Sequence, residues 1–383
     1  MAQNGYVRKR RYKIKYKNLA ILLAILLILI LLIARGCSAL FGKNKDKNKD
    51  LDNEPLVTGD SQQQNIPLEN VPALDPATQY YYSFTYEDKT SADLGEGDLV
   101  LVNNNIQYLG SVNEDELSVV RELKNNAYSV KDYTVKVRPE AMNALNEMLL
   151  AFYTATGKDT IMVNAGYRTL EYQQELYDDD LASSGQNSST LVAKPGYSEH
   201  HTGLAVDFTV YENGKYDQSK LGNGEYTWID ENAHKFGFVN RYPKGKETLT
   251  MIDNEPWHYR YVGVPHATVM KNYGYCLEEY IDFIKNYTIK NGFLSVNTDD
   301  GSQYMIYYVP MSGGDSTSVY VPATDKETGT KTYPYEISGN NVDGWIVTFL
   351  YKEGDGTAVP PVADEPDVTE PAEDSQTDGT ETE

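Results

Sequence analysis

Residues 196–210, GYSEHHTGLAVDFTV, set two adjacent histidines and two glycines just ahead of an apolar run broken by a single aspartate. Side chains alternate along an extended chain, so Leu204, Val206, Phe208 and Val210 share one face, and Ala205, Asp207 and Thr209 the other. Such a strand carries Asp207 away from its apolar face, between two small neighbours. Gly203 permits a turn that brings His200 back toward the same spot. A carboxylate on a strand with few charges nearby needs a partner. A divalent cation shared with histidine is one answer, and a satisfied structural histidine is the other. The chain has five histidines in all. A cation accounts for placing two of them beside this strand better than packing does.

The segments around this stretch supply further candidates. Pro139 suits a first helical position; Leu145, Met148, Leu149 and Phe152 recur at helical spacing, and Gly157 offers the stop. TIMVNAGY, residues 160–167, reads as a strand, and Thr169 can cap a following helix. Arg168 then falls at the strand-to-helix turn, where a functional side chain and a solvated arginine are both ordinary. Downstream, DNEPWHYRYVG, residues 253–263, offers His258 and, three positions earlier, Glu255. Pro256 disfavours a regular helix there, so both reach one ion only if the chain bends locally. A catalytic zinc site takes three protein ligands and leaves one position open. His200, Asp207 and His258, with Glu255 left free, match that requirement.

Charge and hydropathy divide the rest of the chain. Seven Lys or Arg and no acid lie within residues 1–17, whereas the whole chain carries a net charge of −22. The acidic bulk argues against nucleic acid as a partner. LAILLAILLILILLIA, residues 19–34, is uninterrupted apolar sequence that residues 36–41 extend past Arg35, close to the span of a bilayer. Residues 1–18 thus read as a basic cytoplasmic segment and 19–41 as a transmembrane anchor, which places the bulk of the chain outside the cell. A cleaved signal peptide and a lipidated Cys37 are weaker alternatives, since no clear small-x-small site follows the run and Arg35 spoils the lipoprotein box. Residues 42–79 read as a polar linker. Residues 353–383 hold eleven acids and no Lys or Arg, so 352–383 read as a disordered acidic tail. With Cys37 and Cys276 the only cysteines, no structural disulfide is expected.

SEHHTGLAVD resembles the S-x-H-x-x-G-x-A-x-D signature, and EPWH the E-x-W-H signature, of VanY-type D-alanyl-D-alanine carboxypeptidases. These belong to the superfamily that also holds lysostaphin and sonic hedgehog. GYRTLEYQ and RYPKGKETLT resemble further segments of the family, and the likeness extends over roughly residues 95–285. It implies an α+β peptidase domain, taken as residues 80–290, with a central antiparallel sheet flanked by helices. It implies Zn²⁺ held by His200, Asp207 and His258, with Glu255 as general base and Arg168 binding the substrate's C-terminal carboxylate. Gln173, Ser198, Tyr242 and Trp257 would line the substrate site. His201 stands where the family often has glutamine and is read as structural, because a fourth protein ligand would close the site to water. His234 and His266 match no motif and are also read as structural.

From Gly292 the chain alternates Tyr, Val and Ile runs with Gly, Asp and Asn. Residues 291–351 are expected to form a small β domain, whose tyrosines serve either its own core or contact with a wall polymer. The implied function is a membrane-anchored, extracellular zinc carboxypeptidase acting on peptidoglycan stem peptides that end in D-Ala-D-Ala. The alternatives are an L,D-carboxypeptidase that trims tetrapeptide stems, an inactive wall-peptide binder, and an adhesin whose β domain is the active part.

Overall fold

The alternating run after Gly203 forms the middle strand of a sheet. The computed structural model describes residues 84–322 and 333–351. Numbering strands in chain order, the central sheet runs β3 (Ser129–Val130), β5 (Ile161–Ala165), β6 (Ala205–Glu212), β9 (Glu255–Tyr261), β8 (Phe238–Tyr242), with β7 (Lys215–Asp217) folding back on β6. All its pairings are antiparallel except β3 with β5. The central antiparallel sheet that the resemblance implies is present, with one parallel pair at this edge. Between β3 and β5 the chain crosses through the helix Pro139–Thr156, and a crossover of that length returns the strand in the same direction.

That helix begins with proline in its first turn and ends at Gly157, whose φ of +70° terminates it. Its Leu145, Met148, Leu149 and Phe152 pack in one core with Val206, Phe208 and Val210 of β6. The apolar face of β6 is thereby spent on the helix, and Asp207 is left for the opposite side.

The C-terminal strands are present but do not stand apart. β10 (Leu294–Asn297), β11 (Gln303–Pro310), β14 (Gly344–Tyr351) and β13 (Tyr335–Gly339) form a four-stranded sheet. Its Leu294, Val296, Ile306, Tyr308 and Ile346 share a core with Leu99, Leu101, Val262 and the helices Val264–Tyr273 and Leu277–Ile284. β12 (Thr317–Pro322) pairs along its whole length with β1 (Phe84–Lys89), so a strand assigned to the peptidase part belongs with the C-terminal ribbon. A short ribbon of β2 (Ser118–Val119) and β4 (Lys136–Val137) completes the strands. Asn341 clasps the two parts: its Nδ2 donates to the carbonyls of Leu101 (2.8 Å) and Gln107 (2.7 Å), and its Oδ1 accepts from Leu109 N (2.9 Å). Tyr307, Tyr308 and Tyr351 are buried core residues, whereas Tyr320 is exposed.

Among the described residues no helix is long and apolar enough to cross a membrane. The expected basic segment, anchor, linker and acidic tail all lie outside them.

Candidate metal centre and peptide cavity

Residues 199–202 form a single 3-10 turn. The Ser198 side chain caps it by accepting from His200 N (3.3 Å), and Gly203 ends it at φ +72°. The turn needs glycine for its positive φ, and a Cβ there would also press on Leu117 Cδ2 (3.1 Å) and Arg138 Cγ (3.2 Å). The next residues enter β6, where Asp207 sits directly opposite His258 of β9.

Period-two alternation would send Glu255 and His258, three residues apart, to opposite faces. The pairing of β8 with β9 prevents this. Asn240 pairs with Tyr259 and Tyr242 with Glu255, so β9 spends two more residues than β8 over the same stretch. Asn240 Nδ2 donates to Glu255 O (2.9 Å) and Asn254 Nδ2 to Tyr242 O (2.8 Å), which stitches the irregular segment together. This is the local bend that the approach of Glu255 to His258 requires. It brings Glu255 Oε2 to 3.8 Å from His258 Nδ1.

His200, Asp207 and His258 converge. One ligand atom from each lies within 4.8 Å of the others, and all three residues are buried. His200 Nδ1 donates to Gly166 O (2.6 Å), which leaves Nε2 facing Asp207 Oδ2 at 3.3 Å. His258 Nδ1 faces Asp207 Oδ1 at 3.0 Å, and its Nε2 faces Glu199 Oε2 at 3.4 Å. The two rings stand perpendicular with centroids 4.9 Å apart. Two imidazoles and one carboxylate, each held from behind by a second partner, suit Zn²⁺ with an open fourth position.

The charges around this group are strongly perturbed. Burial favours a neutral Asp207, but His200 and Arg168 beside it hold its carboxyl well below the usual range. Burial and the Arg168 charge push His200 down to about 4. Glu255 is raised to about 8 by burial, reinforced by Asp207. Burial opposes charge on His258, but hydrogen bonds to Asp207 and Glu199 outweigh it and raise the ring to about 9.

A cavity of about 220 Å³ opens on the group. Arg168, Gln173, Ser198, Tyr242 and Trp257 all line it together with His200, Asp207, Glu255 and His258, while Leu176, Leu191 and Ile252 supply apolar wall. Arg168 follows β5 and precedes the helix Leu170–Ser184, which Thr169 caps by accepting from Tyr172 N. Its guanidinium differs in one respect from the role expected of it: Nη2 is already paired with Asp207 Oδ2 at 2.6 Å, and Nη1 contacts Gln173 Oε1 at 3.4 Å. Gln173 is itself fixed by donation to Ala193 O (2.8 Å).

The other histidines sit outside the group. His201 Nδ1 donates to Arg168 O (2.8 Å) and its Nε2 accepts from Gly196 N (3.0 Å), so it ties two loops together. His266 bridges Tyr280 OH (2.6 Å) and Thr348 Oγ1 (3.0 Å) beneath the C-terminal sheet. His234 lines a different groove. Reading the sequence missed Glu199, Arg241 and Arg260. All three are fully buried, with Glu199 Oε1 accepting from Arg241 Nε (2.7 Å) and Arg260 Nη1 (2.8 Å). The available signal was a charged residue at each of three positions inside otherwise buried segments.

Comparison with known proteins agrees with this architecture. The family model for VanY, D-alanyl-D-alanine carboxypeptidase, matches residues 134–264. A D-alanyl-D-alanine carboxypeptidase of Enterococcus faecium is 36% identical over 263 residues, covering 68% of this chain and 77% of the relative. Another, from Enterococcus faecalis (strain ATCC 700802 / V583), is 46% identical over 131 residues, 32% of this chain and 47% of that protein. The crystal structure of the vancomycin resistance D,D-dipeptidase VanXYg, in complex with a D-Ala-D-Ala phosphinate analogue, is similar with a TM-score of 0.60 at 30% identity. That match covers 70% of this chain and 100% of the other. Fold, cavity and relatives together define a hydrolase of the carboxypeptidase class. The chain belongs to the VanY family of D-alanyl-D-alanine carboxypeptidases.

Proposed function

We propose that this chain is a zinc-dependent D,D-carboxypeptidase that removes the terminal D-Ala from peptidoglycan stem peptides. The reading rests on the convergence of His200 Nε2, Asp207 and His258 Nδ1 at one end of a cavity that Arg168 and Glu255 also line. Zn²⁺ held by those three residues would supply Lewis acidity and a water acidified toward neutral pH.

The chain's own residues supply the rest. Glu255 lies beside the ligand group without belonging to it. Its carboxyl lines the cavity and can therefore reach a water placed there. It takes a proton from the attacking water and delivers it to the leaving amine. Arg168 would offer its guanidinium to the peptide's free carboxylate once a metal draws Asp207 away from Nη2, with Gln173 contacting Nη1. Tyr242 packs its ring on His258 at 4.7 Å and steadies that ligand. Leu176, Leu191 and Ile252 give the small apolar wall that a methyl side chain requires.

The apolar run of residues 19–41 supports single-pass anchoring in the cell membrane, with the catalytic part outside, where such substrates lie. Among tyrosines of the C-terminal part, only exposed ones such as Tyr320 offer contact to a wall polymer.

The test is mass spectrometry of products from defined stems. Zinc-loaded protein should release D-Ala from a pentapeptide ending in D-Ala-D-Ala. Release from tetrapeptides alone would establish L,D specificity, and binding without release from either would make the chain a wall-peptide binder.

A further inference from the structure

Glu199 neighbours the candidate ligand His200 in sequence, yet its side chain turns to the other candidate histidine. We infer that Glu199 is the positioning residue for His258, accepting the Nε2 proton and so presenting Nδ1 to the metal. The inference rests on the metal site proposed above.

The two carboxylate oxygens of Glu199 have separate partners. Oε1 accepts from Arg241 Nε (2.7 Å) and Arg260 Nη1 (2.8 Å), and Oε2 faces His258 Nε2 (3.4 Å). A carboxylate flanked by two guanidiniums can only accept, so the nitrogen that faces it carries the hydrogen. The other ring nitrogen, Nδ1, faces the Asp207 carboxylate in the same way (3.0 Å) and also carries a hydrogen while no metal is bound. A metal shared with Asp207 would displace that one, whereas the hydrogen on Nε2 stays with Glu199, so Nδ1 is the nitrogen left to the metal. The arginines are fixed in turn. Arg241 makes two contacts to Glu278 (2.8 and 2.7 Å), and Arg260 Nη2 donates to the carbonyls of Asp98 (2.8 Å) and Val100 (3.0 Å). One 3-10 turn therefore supplies a metal ligand and the brace of the ligand facing it.

A purely structural role, neutralising two buried arginines, makes a different prediction. In Glu199→Gln the two guanidinium donors fix which way the amide points: its oxygen must take the Oε1 position. Its NH₂ then faces His258 Nε2, donor against donor, which drives the imidazole proton to Nδ1. Glu278→Gln removes a carboxylate charge from the same Arg241 without touching His258, and serves as the control.

Zinc affinity would be measured by chelator competition on the full chain in detergent, with circular dichroism to confirm folding. Wild type should bind about one zinc. Glu199→Gln should bind it about 10- to 100-fold more weakly, the usual loss when a ligand's outer partner is removed, while Glu278→Gln keeps wild-type affinity. Equal affinities in all three proteins, or equal losses in both variants, would overturn the assignment. A wild type that binds no zinc would remove the metal site itself, a failure distinct from these. Should Glu199→Gln not fold, proton NMR of zinc-loaded wild type labelled with ¹⁵N-histidine decides. A low-field, slowly exchanging Nε2–H signal for His258 is expected, and a fast-exchanging, unbonded one would refute the brace.

Discussion

Asp207 and His258 face each other across neighbouring strands, with Asp207 Oδ1 3.0 Å from His258 Nδ1. Directly opposed strand residues bring their side chains together without help from loops. Two of the three candidate metal ligands are therefore set by sheet register, and only His200 depends on a turn. The site inherits the rigidity of β6 and β9, both packed in the main core through Val206, Phe208 and Tyr259.

Replacing Glu255 separates proton transfer from metal holding. Glu255→Gln keeps shape and removes basicity, so zinc content should stay near one per chain while turnover of a D-Ala-D-Ala stem falls about 10²- to 10⁴-fold. Metal analysis and product release, measured together, check this. Loss of zinc would make Glu255 a ligand, and normal turnover would exclude it as the base.

Arg168→Ala should mainly harm substrates with a free C-terminus. A charge-assisted hydrogen bond is worth about 1.5 to 3 kcal/mol, so kcat/KM should fall roughly 10- to 150-fold. Wild type should discriminate against C-terminally amidated peptides, and the variant should lose that preference. Equal cleavage of free and amidated peptides by wild type would sink this role.

His201 differs from its neighbour although the two adjoin in sequence. His200→Ala should abolish zinc binding, whereas His201→Ala should retain the metal. The latter should raise KM, because the lost imidazole holds the Arg168 carbonyl and Gly196 N–H. Elemental analysis beside steady-state kinetics tests both halves, and zinc loss in His201→Ala would contradict the ligand assignment.

His266 makes stability sensitive to acid. Burial pushes its pKa down to about 3, against 6.5 for the ordinary side chain. A depressed folded-state pKa means the unfolded chain binds the proton more readily. The neutral ring's stabilisation is thus complete above pH 6.5 and is lost as pH falls toward 3, with a slope of at most ~1.4 kcal/mol per pH unit. Urea melts followed by tryptophan fluorescence should show this slope in wild type and a flatter profile in His266→Gln. An unchanged profile would refute it.

Much of this was legible beforehand, and the omissions have physical causes. Pro139, Gly157 and Thr169 mark helix ends through local chemistry, and structure and sequence agree there. The face of β6 that carries Asp207 follows from alternation alone. The approach of Glu255 to His258 does not, because it depends on how many residues the facing strand spends between Asn240 and Tyr242. Glu199, Arg241 and Arg260 escaped because charges read as solvated until partners distant in sequence are known. The docking of the C-terminal sheet escaped for the same reason: Asn341 reaches back to Leu101, Gln107 and Leu109.

The pairing of β1 with β12 bears on how the chain reaches its native state. Phe84 lies opposite Pro322, and Lys89 opposite Thr317. The partner of this first strand thus lies more than two hundred residues along the chain, and residues 84–89 remain an unpaired edge until it docks. The segment just after them, whose Asp98 and Val100 carbonyls hold Arg260, is in turn pinned by Ser338 and Asn341 near the chain's far end. Closure of so many distant contacts is entropically slow. The arginine brace beneath the candidate cavity thus depends on residues near the far end of the chain, and cutting the chain ahead of Ser338 would remove the hydrogen bonds that pin its carbonyls.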